Sequence, residues 1–374
     1  MMAFRAPYGY LLQEATNSQG ALRTAYTSIL EAIGEEAPIG RWTLGPQVQQ
    51  FEEAFAVAVG YKYAIGVSSG TDALFLAMKA VNLGAGSRVL TVPNTFYATV
   101  GAILQAGATP VFCDVGDDML MDIELAKAAL AAAPPHAVLP VDWAGLPWPH
   151  SVSQVVQIQD RAQSMGASIL MQGSWPPGVS KPLMACYSLH PLKNLHVWGD
   201  GGMIVTDSQD LDTRLRLLRN HGLIDRDTWE CPGYNMRLST IQAIIGLHML
   251  PLLSDLVPRR RLCARRFNAA FRGIPGVHIP AIGRLHQSAW HLYVLRVPRR
   301  DALLAHLNAV GIEAKIHYPV PLHLQPALRF MGFGEGSYPV AEQQAREIIS
   351  LPVHEYLTDE QVEYIIEQVH GFYR

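Results

Sequence analysis

The sequence predicts an α/β fold: a large domain built on a mostly parallel sheet covered by helices, followed by a smaller C-terminal α/β domain. The first observation is that short apolar runs alternate with amphipathic helical segments from residue 63 onward, which is the pattern of a parallel sheet with helices on both faces. The second is length, because 374 residues suffice for two domains that share a large core. We place the large domain at residues 1–254 and the small domain at residues 255–374.

The composition is that of a well-packed globule, with 49% hydrophobic and 16% charged residues. A formal charge of −3 gives no electrostatic reason to expect binding to nucleic acid or to an anionic membrane. The first residues, MMAFRAPYGYLLQEA, lack the apolar core of a signal peptide, and no run reaches the ~18 apolar residues of a spanning helix. We therefore expect a cytoplasmic protein without a membrane segment.

The cysteines predict core thiols and not a disulfide or zinc set. They lack CxxC spacing and stand among apolar or mixed neighbours. They are Cys113, Cys186, Cys231 and Cys263. We expect no metal site.

Two helices precede the sheet. The first covers residues 18–33 and ends at Gly34, and a loop with two glycines and a proline follows at 39–46. The second covers residues 47–60, with Gly60 as its stop signal. Its apolar side carries Val48, Phe51, Phe55 and Val59.

The chain then alternates between strands and helices. Strands are predicted at 63–68, 88–92, 109–115, 137–143, 155–160, 185–189 and 203–207, and helices at 71–81, 95–107, 123–133 and 211–220. Parallel sheets of this kind bind ligands at the carboxyl ends of their strands. No GxGxxG follows a strand, which disfavours a dinucleotide site.

The remaining third of the chain begins with a long helical region from about Leu238, which Pro251 and Pro258 are expected to kink or split. The small domain is predicted to contain a helix at 259–271, a strand at 291–297, a helix at 301–311, a strand at 314–320 and a helix at 358–373. Thr358 and Gln361 form a capping-box pattern at the start of the last helix.

Lys193 is the first candidate site residue. It follows the strand at 185–189 and precedes a Gly-rich turn, GDGG at 199–202, and the next strand. A strand–turn–strand that presents one lysine suits a group at the floor of a cleft, although a lone lysine is commonly a surface residue.

Two further stretches follow neighbouring strands. In VSSGTDAL a strand runs through Gly70 and Thr71 directly into a helix, and a helix N-terminus can bind an anion such as phosphate. The alternative is a plain N-cap made by Ser69 or Thr71. In NTFYAT, Phe96 or Tyr97 lies at the same rim and can stack on a flat ring, or simply belong to the core.

Asp160 ends the strand at 155–160, where a carboxylate is costly unless it faces a cation. Gln163 follows three residues later and can point the same way, although both also fit a helix cap. A phosphate site, a ring-stacking aromatic, a strand-end carboxylate and a lysine are together the parts that hold pyridoxal 5′-phosphate, because its ring nitrogen needs a carboxylate and its aldehyde needs an amine.

The chain resembles the DegT/DnrJ/EryC1/StrS family of sugar aminotransferases, which have the aspartate-aminotransferase-like type I fold of pyridoxal-phosphate-dependent transferases. The resemblance runs from about Gly40 to the C-terminus. It is carried by GRWTLGPQVQQFEEAFA, SSGTDAL, NTFYAT, GATPVFCDV, QDRAQSMGA, SLHPLKNL, GDGGMIVTD, RNHG, GYNMRLSTIQA, HYPVPLH and ISLPVH.

The resemblance implies roles for individual residues. Lys193 would form the internal aldimine with the cofactor, Asp160 would pair with the pyridine nitrogen, Gln163 would bind the ring hydroxyl and Phe96 would stack on the ring. The phosphate would be bound by Gly70, Thr71 and Ser188. Asn235 resembles the residue that reaches the phosphate of the neighbouring subunit, which implies a homodimer with shared active sites.

Some segments depart from the family pattern. Only LPWPHSVSQVVQIQ stands between Gly145 and Asp160, so one crossover helix is expected to be shortened or lost. Asp142 stands where the family commonly has histidine, IQD replaces IED at Gln159, and 168–184 is irregular. Some relatives have histidine in place of the lysine and act as dehydratases, so Lys193 favours transamination.

The resemblance therefore implies a ping-pong transfer of an amino group from L-glutamate or L-glutamine to a keto-sugar, nucleotide-linked or phosphorylated, or to a keto-cyclitol. The alternatives are another pyridoxal-phosphate enzyme, such as a dehydratase or lyase, and a regulatory protein without turnover. Candidate acceptor contacts are Trp42, Thr43, His221, His317, Tyr318 and His323. Each histidine could instead be a hydrogen-bonded structural residue, and the arginines at 259–261 are expected on a solvated helix face.

Overall fold

The computed structural model describes residues 4–9, 14, 21–37, 39–152, 154–167, 181–280 and 288–374. It confirms the α/β fold, with a mostly parallel seven-stranded sheet in the large domain. The irregular segment 168–184 lies mostly outside the described residues, as does the start of the first predicted helix.

The strands of the large sheet match the seven predicted apolar runs. They are β1 (Tyr63–Val67), β2 (Arg88–Thr91), β3 (Thr109–Phe112), β4 (Ala137–Val138), β5 (Val156–Asp160), β6 (Met184–Ser188) and β7 (Gly202–Thr206). Their order across the sheet is β1-β7-β6-β5-β4-β2-β3, and β7 alone runs antiparallel to its neighbours. β4 is shorter than the predicted 137–143 because Pro140 has no amide proton to continue the ladder.

The described residues contain helices on both faces of this sheet and around the small domain. They are α1 (Ala21–Glu36), α2 (Pro46–Val59), α3 (Gly70–Ala80), α4 (Tyr97–Gln105), α5 (Ile123–Ala132), α6 (Gln209–Arg219), α7 (Thr240–Met249), α8 (Leu253–Phe271), α9 (Arg300–Ala309), α10 (Pro339–Glu347) and α11 (Asp359–Tyr373). The capping box of Thr358 and Gln361 is present at α11. α10 was not predicted.

Alternation along β6 and β7 divides the core between the two faces of the sheet. Tyr187 and Met203 face α2, whose predicted apolar side is buried, while Cys186 and Ile204 face α3. α2 ends at Gly60, which has a φ of 73°, as its sequence predicted. The sheet is therefore covered on both faces, and its strand ends remain available for a site.

The long helical region after Leu238 breaks at only one of its two prolines. A 3-10 turn at Leu250–Leu252 separates α7 from α8 at Pro251. α8 continues through Pro258, so of the expected kink or split the split is absent there. Pro258 is the sixth residue of α8 and removes only the bond to the carbonyl of Ser254. Residues Thr240–Phe271 are long and apolar enough to cross a membrane, but half of their most apolar window is buried inside the molecule, which fits core helices.

The small domain contains an antiparallel pair of strands, β8 (Tyr293–Arg296) and β9 (Ile348–Leu351). The predicted strand at 314–320 is wrong, because only Lys315 pairs there, with Ser350. Two prolines at 319 and 321 lack the amide protons that a ladder needs. Residue 255 lies in the first turn of α8, and the domain boundary stays a prediction.

The connection from β4 to β5 contains no α-helix among its described residues. A 3-10 turn at Trp143–Gly145 begins it, and an irregular segment leads to Val156. The expected loss of the crossover helix is confirmed for the residues that the structure describes there.

Candidate active site

A cavity of about 450 Å³ lies between the carboxyl ends of the central strands and the small domain. The large domain contributes the residues after β1, β2, β5 and β6, and the small domain contributes His291, His317, Tyr318 and Val353. A second cavity, of about 310 Å³, lies behind Trp143 and contains neither the predicted lysine nor the predicted carboxylate. The first cavity is therefore the candidate active site.

Lys193 lies at the floor of this cavity, in the turn after β6. Its amide donates to the carbonyl of His190 over 2.8 Å, which closes the turn. Burial lowers the pKa of the Lys193 ammonium to about 8, and the carboxylate of Asp160 opposes that shift. A lower pKa increases the share of neutral amine near pH 7, and neutral amine is the nucleophile that attacks an aldehyde.

Asp160 ends β5 and is only 4% exposed. Thr99 Oγ1 donates to its Oδ2 over 2.8 Å, and the amide of Ala162 donates to its Oδ1 over 3.0 Å. Burial raises the pKa of Asp160, while these two hydrogen bonds and Lys193 lower it. A buried carboxylate fixed in this way fits a cationic ring nitrogen, and that role of Asp160 stays a prediction.

The predicted anion site is a narrow cradle at the start of α3. Ser69 is the N-cap, since its Oγ accepts from the amide of Asp72 over 3.0 Å, and Gly70 and Thr71 line the cavity. A Cβ on Gly70 would lie 2.8 Å from the Cβ of Ser188, and one on Gly202 would lie 2.2 Å from the carbonyl oxygen of Ser69. The capping interpretation is correct and leaves room for an anion at the helix terminus.

Phe96 and Gln163 both line the cavity and both contact Tyr318. Phe96 is 49% exposed, and its ring centroid lies 5.9 Å from that of Tyr318. Gln163 donates from Nε2 to the Tyr318 hydroxyl over 3.4 Å, and its Oε1 accepts from the amide of Ala144 over 2.7 Å. The two side chains fit a flat ring and a ring hydroxyl between them. Tyr97, the other candidate for stacking, packs 5.0 Å from Phe96 but does not line the cavity.

The candidate acceptor contacts do not all line the same cavity. His317 and Tyr318 line the cavity, whereas Trp42 and Thr43 line a shallow depression at residues 40–46. His323 lies outside the cavity, buried with Nε2 3.0 Å from Glu342 Oε1, which fits the structural role that was its alternative.

Two further candidates lie on the surface and do not line the cavity: Asn235, predicted to reach the phosphate of a neighbouring subunit, and His221, predicted as an acceptor contact. His221 and Asn235 are exposed and belong to adjoining segments, in which Asn235 pairs with Asn220.

Sequence reasoning missed residues that only the fold brings to the cavity. Tyr8 and His291 line it from segments far from Lys193 in the chain. Arg260 also lines it and is 2% exposed, so the solvated helix face expected for residues 259–261 is wrong at this position. Its Nε lies 2.5 Å from Glu355 Oε2, and its Nη1 donates to the carbonyl of Val353. The helical period of α8 could have placed Arg260 among its buried residues.

Comparisons with known proteins show the family to which the chain belongs. A model of the DegT/DnrJ/EryC1/StrS aminotransferase family matches residues 25–370. A pleiotropic regulatory protein of Geobacillus stearothermophilus is 35% identical over 92% of this chain and 94% of its own. A dTDP-3-amino-3,4,6-trideoxy-alpha-D-glucose transaminase of Streptomyces venezuelae is 35% identical over 90% of each chain. The crystal structure of S. venezuelae DesV in complex with a ketimine intermediate has a TM-score of 0.89 and 33% identity, covering 100% of this chain and 99% of that one.

The fold and the cavity together define a pyridoxal-phosphate-dependent aminotransferase. The chain belongs to the DegT/DnrJ/EryC1/StrS aminotransferase family and is a sugar aminotransferase. The amine, the carboxylate and the helix-terminus cradle are the groups that pyridoxal 5′-phosphate requires, so the residues present fit the cofactor.

Proposed function

We propose that this enzyme moves an amino group from L-glutamate or L-glutamine to the keto group of a nucleotide-linked sugar, in two half-reactions at one site. The observation that carries the proposal is the pairing, within one cavity, of Lys193 with a pKa of about 8 and the buried carboxylate of Asp160. The nucleotide-linked acceptor is supported by the S. venezuelae relative, whose name describes a dTDP-sugar transaminase.

Each residue has one task in the proposal. When bound, the cofactor supplies a cationic ring that accepts electrons from the carbon whose proton is removed. Lys193 would hold the cofactor at rest, and its neutral amine would take the proton from the donor's α-carbon. Asp160 would keep the ring nitrogen protonated. Gly70, Thr71 and Ser188 would bind the phosphate.

The second subunit completes the proposal. Asn235 is exposed, and Ile224 and Trp229 nearby in the chain are 59% and 66% exposed. Two large apolar side chains exposed on one loop are a feature of protein–protein interfaces. We place the proposed homodimer contact here, with Asn235 reaching the phosphate of the partner's cofactor. We also propose that the enzyme works in the cytoplasm, since its acceptors are charged metabolites.

Product analysis tests the acceptor. The loaded enzyme is incubated with L-glutamate or L-glutamine and, separately, a dTDP-linked keto-sugar, a UDP-linked keto-sugar, a keto-sugar phosphate and a keto-cyclitol. Mass spectrometry should show the amine of a nucleotide-linked sugar together with an equal amount of oxo-acid, and Lys193→Ala should form neither. Amination of the phosphate or cyclitol alone would contradict the nucleotide-linked acceptor.

A regulatory function is the second candidate, because the G. stearothermophilus relative carries a regulatory name. A protein that only binds has no need of a buried carboxylate opposite a low-pKa lysine, and both are present. A dehydratase would change the sugar without an amino donor and without forming oxo-acid, so the same incubation separates it from a transaminase.

A further inference from the structure

Asp142 is buried beneath the cofactor cavity and is fully surrounded by donors. Its Oδ1 accepts from the amide of Trp148 over 2.9 Å and from Gln159 Nε2 over 2.5 Å. Its Oδ2 accepts from Ser164 Oγ over 2.6 Å and lies 3.5 Å from Arg161 Nε. Burial raises the pKa of Asp142, whereas Arg161 and these hydrogen bonds lower it. Every neighbour that contacts the two oxygens donates to them, which favours the ionised form.

The strand period explains why this cluster lies so close to Asp160 and yet faces away from it. Along β5, Ile158 and Asp160 point to one face, and Gln157, Gln159 and then Arg161 point to the other. The backbone amide of Asp142 donates to the carbonyl of Asp160 over 2.9 Å, so the two acidic residues lie on neighbouring segments of the sheet. Asp160 therefore lies on the cavity face of β5, and Asp142 lies against the opposite face, which the connection from β4 to β5 covers.

Side-chain hydrogen bonds of Gln157 and Gln159 hold the helix-free connection from β4 to β5 against the sheet. Gln159 Nε2 donates to the carbonyl of Trp148 as well as to Asp142. Gln157 donates to the carbonyl of His150 over 3.3 Å and accepts from the amide of Val152 over 3.1 Å. These bonds satisfy the backbone groups that a crossover helix would have paired internally. The short crossover, Asp142 and the glutamine in IQD form one arrangement.

Charge is balanced within the same cluster. Arg161 is 0% exposed and faces Asp142, and its Nη1 donates to the Tyr187 hydroxyl over 3.2 Å. Tyr61 also faces the guanidinium. On the cavity side the neighbouring ionisable groups are Asp160, Lys193 and the thiol of Cys186. Each of the two charges of the ion pair can act through the low-dielectric interior on the cofactor above it.

We propose that Asp142 is a positioning residue, whose carboxylate joins the helix-free crossover to the loop after Asp160 and whose ion pair with Arg161 keeps the floor beneath the cofactor electrically neutral. Neither member of the pair lines the cavity, so both act on the reaction through Asp160 and Gln163. The buried pair is tolerated because each partner has further hydrogen bonds.

The test is a pH titration of the visible band of the lysine-bound cofactor in single and double variants. Asp142→Asn removes the negative charge that faces Arg161, and the remaining cation should lower the titration midpoint by about one pH unit. Arg161→Met leaves the carboxylate and should raise the midpoint by about the same amount. The double variant removes both charges and should return the midpoint to within a few tenths of a unit of the parent enzyme.

A merely structural role would not produce shifts of opposite sign that cancel. Asp212→Asn is the matched control, because Asp212 forms an ion pair with Arg216 on α6 and does not line the cavity, and it should leave the midpoint unchanged. Hydrogen exchange at residues 146–152 should become faster in Asp142→Asn. Equal midpoints in both single variants, or shifts of the same sign, would overturn the proposal, and should one variant fail to fold, the sign of the other still decides it.

Discussion

Lys193 and Asp160 lie in one buried cavity, but the lysine must be neutral and the aspartate charged. The lysine must lose its proton near neutral pH, and burial achieves this by lowering its pKa to about 8. The carboxylate must stay charged when a cationic ring is present, and hydrogen bonds from Thr99 and Ala162 favour that form. Burial therefore favours the neutral form of Lys193, whereas at Asp160 hydrogen bonds oppose the effect of burial and favour the charged form.

The rate at which the apoenzyme binds pyridoxal phosphate covalently should rise with pH and level off above a midpoint near 8. The physical reason is that only neutral Lys193 attacks the aldehyde, and the neutral fraction grows until the pH passes its pKa of about 8. Stopped-flow absorbance after mixing checks this. A rate that still rises tenfold per pH unit between pH 9 and 10 would show an unshifted lysine.

Asp160→Ala should lower turnover by about 10²–10³-fold while fold and dimer persist, since the ring nitrogen then loses its carboxylate partner. Asp114→Ala is a suitable control. That carboxylate is similarly buried, but it accepts the amides of Val340 and Ala341 at α10, outside the cavity, and should lower stability and not specific activity. Steady-state kinetics and thermal melts separate the two effects, and near-normal turnover in Asp160→Ala would refute the assignment.

At the scale of elements, the phosphate cradle depends on close contact between α3 and β7. Gly202 opens β7, and its α-carbon faces the carbonyl of Ser69 so closely that a Cβ would lie 2.2 Å away. The first turn of α3 is therefore held against the sheet by the absence of a side chain.

Gly202→Ala should weaken cofactor binding by at least about tenfold, because the added methyl group pushes Ser69 and Gly70 away from the floor of the cavity. Gly101→Ala is the matched control, since a Cβ there meets nothing within 4 Å and the helix should gain about 0.5–1 kcal/mol. Equilibrium titration of the apoproteins with pyridoxal phosphate measures both. Equal affinities in the two variants would contradict the cradle.

The sequence predicted the elements whose hydrophobic periodicity agrees with their glycine and proline stop signals. It missed strands that depend on pairing with residues distant in the chain. Val48, Phe51, Phe55 and Val59 lie on one helical side and are buried, as expected. β9 was not predicted as a strand, because its pairing with β8 involves residues more than 50 positions apart. The strand predicted at 314–320 is wrong for a local reason, because its apolar run contains Pro319 and is followed by Pro321, and neither has an amide proton for pairing.

The same distinction holds for the site. The strand-end rule was enough to single out Asp160, Phe96 and Gly70, all of which line the cavity. Tyr8 and Arg260 reach it only because the small domain and the N-terminal segment fold over the sheet, and local patterns contain no signal for that contact.

At the scale of the whole molecule, Asn235 is exposed and does not line the cavity of its own chain. The proposed shared site therefore needs a second copy of the chain to bring Asn235 to a cofactor. Mixing Lys193→Ala with Asn235→Ala subunits tests this. Heterodimers would contain one intact site, so a fully exchanged equal mixture should recover about a quarter of the parent turnover. Each variant alone, treated identically, is the control, and no recovery in exchanged heterodimers would contradict the shared site.

The central claim is that Lys193 holds pyridoxal phosphate in a cavity that accepts an amino group, and visible absorbance tests it most directly. The purified, cofactor-loaded protein should show a yellow band that bleaches when L-glutamate is added, with one equivalent of oxo-acid released, and Lys193→Ala should not show this band. A band that ignores every amino donor, or protein that forms no band with cofactor supplied, would contradict the account.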